Sequence, residues 1–350
     1  MKVAILAPVA WRTPPRHYGP WEQMASNITE GLVNTGIEVT LFATGDAITR
    51  GKLDAVIAKG YEEDHSLDAK VAECLHISNL MEKAARFDII HNHFDFLPLT
   101  YSRLISTPII STIHGFSSSK IIPVFKKYNN TSHYVSISNS DRDQDLRYLA
   151  TVYNGIKVED FAFTKQPEDF LLFFGRIHPD KGTAEAIQIA RQSKKQLLIA
   201  GIIQDHAYFD EKVKPFLDDQ VIFLGSAGPE KRNELLGKAS ALLHPISFNE
   251  PFGLSVAEAM MCGTPVIAFN RGSMPELIRN EQNGFLVDNV NQAVNAVHQI
   301  NKIDRSFCRK WSMSQFSQNK MTEDYLKLYH QILKGKFKSA TFPTMHLSQP

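Results

Sequence analysis

Two glutamates, Glu250 and Glu258, belong to a segment whose pattern predicts the binding of an anionic ligand. Seven residues separate them, and Gly253 lies between them. An apolar strand precedes the segment and a helical pattern follows it, so the amides of residues 252–254 should point out of a helix N-terminus, where a diphosphate binds favourably. Both carboxylates can then face one cleft, where one accepts hydrogen bonds from sugar hydroxyls and the other from ribose hydroxyls. The alternative is an ordinary capped amphipathic helix with solvated glutamates.

A second candidate site lies at the first strand-to-helix turn of the C-terminal half. Arg176 and Lys181 are five residues apart, and Gly175 and Gly182 flank them. Fixed positive charges on such a loop can clamp a pyrophosphate and neutralise the charge of a departing nucleoside diphosphate. Taken alone, the pair is equally typical of a surface loop with two solvated cations.

Strands that alternate with helices position both candidate sites. Short β-branched runs alternate with helical stretches in the N-terminal half, and a second alternation begins after the loop at residues 151–168. This pattern predicts βαβ units and parallel sheets, in which ligands bind at the carboxyl ends of the strands. The polar segment at residues 141–149 is interpreted as a further helix. Because 350 residues exceed what one hydrophobic core usually organises, we expect two doubly wound α/β domains in series.

The order and spacing of these motifs resemble those of the retaining glycosyltransferases of family four. The resemblance implies the GT-B fold, in which two Rossmann-like doubly wound domains face a central cleft. Residues 1–157 would bind the acceptor and residues 158–310 the nucleotide-sugar. Residues 311–333 would cross back to the first domain as a helical segment, and residues 334–350 are predicted to form a flexible tail. The matching motifs are Tyr18-Gly19, 88–93, 112–115, 135–138, 153–155, 174–176, 180–182, 250–258, 263–266 and 274–276.

The resemblance also implies a reaction, the transfer of a hexosyl unit with retention from a UDP- or GDP-linked donor to an acceptor hydroxyl. The acceptor would be a sugar, a polysaccharide precursor or a small molecule. By analogy, Arg176 and Lys181 would hold the diphosphate, Glu258 the ribose and Glu250 the transferred sugar. His114 would contact the donor sugar and completes the predicted catalytic set of His114, Arg176, Lys181 and Glu250. The predicted donor-binding residues are Gly19, Gly175, Arg176, Lys181, Gly225, Ser226, Glu250, Phe252, Gly253, Leu254 and Glu258. A sugar-nucleotide epimerase or hydrolase with the same fold, and a non-catalytic nucleotide-sugar-binding partner, stay open as alternatives.

The loop at residues 11–21 departs from the family pattern. Relatives often carry two glycines before this helix, whereas here Gly19 is followed by Pro20. Proline suits the first turn of a helix but has no N–H to donate, so one phosphate contact expected from the family is in question. Position alone suggests a set of acceptor-site candidates, which are Arg12, Arg16, His17, Tyr18, His93 and Asp95.

Two further patterns have residue types that occur in binding sites. His91, His93 and Asp95 alternate at a period of two, which on an extended strand places them on one face, where they could hold a metal ion. Because GT-B enzymes usually replace the metal with cationic side chains, we expect no metal and no cofactor beyond the donor substrate. The basic and apolar residues 120–127 could contact a membrane, but Pro123 interrupts them, and ordinary packing with solvated lysines is favoured.

Composition excludes several classes of protein. With 38 basic and 37 acidic residues the chain lacks the positive charge that nucleic-acid binding uses. Gly-x-Gly-x-x-Gly and Gly-Lys-Ser/Thr motifs are absent, which argues against dinucleotide oxidoreductases and P-loop enzymes. Cys74, Cys262 and Cys308 show no paired spacing, and neither a signal peptide nor a membrane-spanning run is recognised, so a reducing compartment, the cytoplasm, is predicted. No pattern indicates the oligomeric state.

Overall fold

The computed structural model describes residues 1–116 and 118–335, which fold as two compact units. The first unit contains Met1–Ser136, Arg142–Val152 and the described residues from Thr322 to Gly335, and the second contains Ile137–Asp141 and Tyr153–Met321. The division falls between residues 152 and 153, whereas the sequence suggested 157 and 158. Within the predicted C-terminal segment at residues 311–333, the part from Thr322 belongs to the first unit. The predicted tail lies outside the described residues from position 336 onward.

A parallel sheet forms the centre of the first unit. Within the described residues it has seven strands in the order β3-β2-β1-β4-β5-β6-β7. This order places the switch point of the doubly wound fold between β1 and β4, where ligands of such sheets bind. The strands are β1 Lys2–Leu6, β2 Glu38–Phe42, β3 Lys52–Asp54, β4 Ile89–Asn92, β5 Ile109–Ile113, β6 His133–Ser136 and β7 Tyr148–Thr151.

The second unit repeats this design with a parallel sheet of six strands in the described part of the chain. Their order is β10-β9-β8-β11-β12-β13, so the switch point lies between β8 and β11. The central strands are almost fully buried because helices cover both faces, and they read as continuous apolar runs such as FLLFF and ALLH. The strands are β8 Phe170–Phe174, β9 Gln196–Ala200, β10 Val221–Gly225, β11 Ala241–His244, β12 Val266–Phe269 and β13 Gly284–Val287.

Helices connect the strands in both units. α1 begins at Pro20, which confirms the prediction that this proline suits the first helical turn, and it buries Met24, Ile28 and Leu32 at helical spacing. The helices are α1 Pro20–Asn34, α2 Ala69–Met81, α3 Ile122–Tyr128, α4 Thr183–Ser193, α5 His206–Tyr208, α6 Pro229–Lys238, α7 Leu254–Met261, α8 Met274–Leu277, α9 Val290–Gln299, α10 Arg305–Phe316 and α11 Gln318–Leu333.

The predicted helix at residues 141–149 is wrong. Residues 141–147 form turns, and Tyr148–Thr151 is the edge strand β7, paired with β6. Short polar side chains compete with the helix here, since Ser138 Oγ accepts from the Asp141 amide at 3.2 Å and Asp143 Oδ1 accepts from the Asp145 amide at 2.8 Å. Local hydrogen bonds of this kind favour turns over helical turns.

Candidate active site

Lys181 and Glu250 form an ion pair close to the switch point of the second sheet. Lys181 Nζ lies 2.5 Å from Glu250 Oε2, and the two side chains are only 14% and 13% exposed. The ammonium group also lies over the ring of Phe248, 4.6 Å from its centroid. Two residues that the sequence placed in separate motifs therefore meet in one site.

A glycine explains how the two loops come so close. Gly182 has a φ of 75°, and a Cβ atom on it would lie only 1.9 Å from the carbonyl oxygen of Pro245. The amide of Ser247 also donates to the carbonyl of Asp180 at 2.9 Å. Only glycine combines this backbone conformation with this approach, so Gly182 is what allows Lys181 to reach Glu250.

The loop after β12 holds the other side of the Glu250 turn. The Ser273 amide donates to the carbonyl of Glu250 at 3.0 Å, and Ser273 Oγ donates to the carbonyl of Phe252 at 2.6 Å. A Cβ on Gly272 would lie 2.4 Å from the Glu250 amide nitrogen. Sequence reasoning missed Gly272 and Ser273, although they directly precede the motif at residues 274–276 that carried part of the family resemblance.

The charges around Glu250 keep its carboxylate ionised. Burial acts to raise the pKa of Glu250, but its interactions with His244 and Lys181 outweigh burial and lower the pKa to about 2. His244 Nε2 lies 3.6 Å from Glu250 Oε2, beyond ordinary hydrogen-bond distance, and burial lowers the pKa of this histidine. At neutral pH Glu250 is therefore an acceptor of hydrogen bonds and not a proton donor.

Glu258 lies on α7 and pairs with an arginine that the sequence analysis did not identify. Arg232 Nη1 on α6 lies 3.3 Å from Glu258 Oε1, and the Glu258 side chain is 10% exposed. Arg232 also lies over the ring of Phe161, and its Nε is buried with no hydrogen-bond partner among the described residues. Burial raises the pKa of Glu258, and the Arg232 charge opposes the rise. The alternative of solvated glutamates is wrong, since both Glu250 and Glu258 are nearly buried.

The N-terminus of α7 lies between the two glutamates in the chain. Gly253 is its N-cap residue with a φ of 92°, and no side chain of the described residues caps the helix. Phe252 is 2% exposed and packs in the core, and Leu254 begins the helix. An uncapped helix N-terminus presents amide donors of the kind that bind a phosphate or sugar oxygen.

Four further predicted donor residues, Gly175, Arg176, Gly225 and Ser226, lie at the ends of β8 and β10. Gly201 has a φ of 155°, and a Cβ on it would lie 1.8 Å from the carbonyl oxygen of Gly175, so the loops after β8 and β9 touch. The Arg176 guanidinium donates to Gln204, another residue that the sequence analysis missed. Gly225 has a φ of 74°, and a Cβ on it would meet only open space. The exposed Ser226 follows it.

In the first unit, His114 follows β5 and contacts two aromatic rings. His93 Nδ1 and His114 Nε2 are 2.9 Å apart, and the Trp21 ring stacks on His114 with centroids 5.7 Å apart. Trp21, Asp95 and His114 line one small cavity. Burial lowers the pKa of His114 to about 3 and raises the pKa of Asp95 to about 7. His114 is therefore neutral under physiological conditions.

The turn before α1 is crowded. Gly19 has a φ of 149°, and a Cβ on it would lie 2.9 Å from both Glu22 Oε2 and the Pro15 Cβ. Glu22 Oε1 accepts a hydrogen bond from the Trp11 amide at 3.3 Å. Burial raises the pKa of Glu22 to about 7, which marks a carboxyl group that the sequence analysis did not single out.

The acceptor candidates near this turn differ in their surroundings. Arg16 pairs with Glu63 at 2.6 Å and Asp46 at 3.0 Å, so its charge is already neutralised. Arg12 Nε donates to the carbonyl of Pro14 at 2.9 Å. The two other candidates are exposed side chains, His17 and Tyr18.

His91, His93 and Asp95 do not combine into a metal site. The rings of His91 and His93 lie 4.0 Å apart, and both nitrogens of His91 already bond to Tyr329 and Thr112. Among residues 1–116 and 118–335, no group of three or more histidine, cysteine or carboxylate side chains is arranged to hold a metal ion. The same residues contain no helix whose length and apolar character would let it cross a membrane.

Comparison with known proteins places these features in a family. A model described as Glycosyltransferase Family 4 matches residues 22–160, and one described as Glycosyl transferases group 1 matches residues 157–313. An uncharacterized glycosyltransferase of Methanocaldococcus jannaschii is 24% identical over 345 residues, which cover 82% of this chain and 85% of that protein.

Solved structures share the architecture. Sucrose-phosphate synthase from Thermosynechococcus elongatus has a TM-score of 0.74 and 19% identity, covering 96% of this chain and all of that one. The Anabaena protein HepE, solved with UDP and glucose, has a TM-score of 0.71 and 18% identity, with coverage of 94% and 99%.

The two parallel α/β sheets with their helices define the class of GT-B glycosyltransferases, which confirms the predicted fold class. Within that class, the chain belongs to glycosyltransferase family four, and it is a transferase.

Proposed function

We propose that the protein transfers a hexosyl unit from a UDP- or GDP-linked donor to an acceptor hydroxyl, with retention at the anomeric carbon. The observation that carries the proposal is the Lys181–Glu250 pair close to the start of α7. The ionised carboxylate can accept hydrogen bonds from sugar hydroxyls. The fixed cation and the amides at the start of the helix can bind the negatively charged diphosphate. The similar Anabaena protein, solved with UDP and glucose, supports a nucleotide-sugar as the donor.

Donor binding would exchange the partners of this pair. Lys181 is bonded to Glu250, and a diphosphate offers it a larger negative charge. Once Lys181 turns to the phosphates, Glu250 is released to accept hydrogen bonds from sugar hydroxyls. Glu250 enters this exchange as a carboxylate, since its pKa beside His244 and Lys181 lies near 2, and it positions the sugar without moving a proton.

In the transfer step, the bond between the anomeric carbon and the phosphate oxygen breaks while the acceptor oxygen bonds to the same carbon. Retention implies attack on the face from which the diphosphate leaves, and the departing phosphate oxygen takes the proton of the acceptor hydroxyl. Negative charge grows on that phosphate, and Lys181, Arg176 and the amides of α7 would stabilise it. These groups supply fixed positive charge, so we expect no requirement for a metal ion.

The test begins with thermal unfolding of the protein in the presence of UDP, GDP, ADP and their sugars. A ligand that binds the native state raises the unfolding temperature, so one base should stand out. The selected donor is then incubated with a panel of sugar and small-molecule acceptors, and products are separated by mass spectrometry. A glycosylated acceptor supports the proposal. Free sugar or an epimerised nucleotide without acceptor product would indicate a hydrolase or epimerase, and tight donor binding without any turnover would indicate a binding partner.

A further inference from the structure

His114 contacts a buried polar network in the first unit that the donor chemistry above does not use. His93 is 1% exposed, and its Nδ1 lies 2.9 Å from His114 Nε2. The His93 ring packs against His91, with centroids 4.0 Å apart. The position of His114 therefore depends on a contact with a histidine that is almost fully buried.

The ring of His91 is itself fixed. Its Nδ1 lies 2.6 Å from the hydroxyl of Tyr329, and its Nε2 lies 2.7 Å from Thr112 Oγ1. Thr112 Oγ1 lies 2.6 Å from the hydroxyl of Tyr325, and both tyrosines belong to α11 and are at least 99% buried. Both ring nitrogens of His91 are engaged in hydrogen bonds, which hold the ring against which His93 packs.

The unpartnered nitrogen of His93 determines which of the two histidines donates the hydrogen bond between them. His93 Nε2 is buried without a hydrogen-bond partner in the described part of the chain. Burial lowers the pKa of both His93 and His114, so each ring carries one proton. If His93 accepted from His114, its own proton would sit on Nε2 as a buried N–H without an acceptor. If His93 donates from Nδ1, only a lone pair is unmatched, and unmatched acceptors are less rare in proteins than orphaned N–H groups.

We propose that His93 is a positioning residue that fixes His114 in the tautomer with its proton on Nδ1, so that His114 acts as a hydrogen-bond donor to the substrate. His114 Nδ1 makes no hydrogen bond within residues 1–116 and 118–335, and the ring lines the cavity shared with Trp21 and Asp95. The stacked Trp21 ring opposes a flip of the imidazole. The substrate atom that accepts this hydrogen bond would be an oxygen either of the transferred sugar or of the acceptor substrate, and its identity rests on the proposed function.

The tautomer is measured directly by nuclear magnetic resonance on the whole protein with ¹⁵N-labelled histidine. The His114 signals are assigned by their loss in His114→Gln, and the couplings between ring nitrogens and ring carbon protons show which nitrogen is protonated. The proposal requires a protonated Nδ1 and a bare Nε2 in His114, with the reverse arrangement or a mixture in His93→Phe. A protonated Nε2 of His114 in the native protein overturns it.

Kinetics provide a second test with matched variants. His93→Phe keeps a planar ring against His91 but removes the N–H group that donates to His114. Turnover should therefore fall at least about tenfold, the factor for one lost hydrogen bond in the transition state. The affinity for the nucleotide-sugar should stay close to normal. His93→Asn can still donate from the position of Nδ1 and should retain most of the turnover. His76→Phe is the control, since His76 is fully buried and its Nε2 bonds to the carbonyl of Ala7 at 2.9 Å, outside the network.

Equal losses of turnover in His93→Phe and His76→Phe would show a general packing effect and overturn the proposal. The tautomer measurement needs no substrate, so it gives a result even if His93→Phe fails to fold. It also separates the two failures: a protein without transferase activity that has the Nδ1 proton contradicts the proposed function, whereas an active protein with the Nε2 proton contradicts only the role of His93.

Discussion

Replacing Glu250 by glutamine removes one negative charge with almost no change in shape, and its effect on stability should depend on pH. The pKa of Glu250 is lowered from its ordinary 4.5 to about 2, because His244 and Lys181 outweigh the effect of burial. A carboxyl group whose pKa is depressed in the folded state stabilises the fold above its unfolded pKa and loses this contribution as the pH falls through the folded pKa.

The magnitude follows from the difference between the two pKa values. Going from 4.5 to about 2 corresponds to about 3 kcal/mol at 1.36 kcal/mol per unit. The difference in the free energy of unfolding between the native protein and Glu250→Gln should therefore grow by about 3 kcal/mol as the pH rises from about 2 to above 4.5.

The assay must report on the second unit alone, because two units need not unfold in one step. The chain contains three tryptophans, and only Trp311 lies in the second unit. In a background with Trp11→Phe and Trp21→Phe, the fluorescence of Trp311 follows urea unfolding of this unit at a series of pH values. Glu211→Gln serves as the control, since the Glu211 side chain is 71% exposed. A difference that stays flat with pH, or that grows as the pH falls, would refute the reasoning about Glu250.

Lys181→Ala should lower turnover by at least about 100-fold with the fold retained, as loss of one charge-stabilising group does, and circular dichroism with initial rates checks both. Arg232→Gln should raise the KM for the donor more than it lowers kcat, and most strongly at low pH. Burial raises the pKa of Glu258 and Arg232 opposes this rise, so without Arg232 more of Glu258 is protonated at low pH and cannot accept hydrogen bonds from the donor as a carboxylate. A KM of the variant that does not depend on pH would contradict this prediction. Gly182→Ala should lower the thermal unfolding temperature and turnover together, because the added Cβ would collide with the carbonyl of Pro245. Gly228→Ala is the control and should change neither quantity much, because a Cβ added there meets open space. Chelation of divalent ions with EDTA should leave initial rates unchanged, and a loss restored by one metal would contradict the proposed mechanism.

The features that the sequence predicted are those whose signals are local. The strands β8 and β11 are largely apolar runs and can be recognised as buried strands. The motifs that follow them lie at the switch point of the sheet, which is where ligands of parallel sheets bind. Lys181, Glu250 and Glu258 could therefore be identified as site candidates from spacing and loop position.

What the sequence did not predict depends on contacts between distant segments. Arg232 resembles any cation on an amphipathic helix until α6 and α7 pack together and bring it to Glu258. His244 and Gly272 act on Glu250 only through the approach of neighbouring loops. At residues 141–147, competition between side-chain and backbone hydrogen bonds decided the structure, and polarity alone gave no sign of the edge strand that follows.

The central claim is that this site transfers a sugar with retention, and the anomeric centre of the product tests it most directly. The selected nucleotide-sugar, labelled with ¹³C at the anomeric carbon, is incubated with its acceptor, and the reaction is followed by nuclear magnetic resonance for the native protein and Lys181→Ala. We expect a glycosidic product with the same anomeric configuration as the donor, formed by the native protein and almost absent with the variant. A product of inverted configuration, or equal rates for the two proteins, would contradict the account.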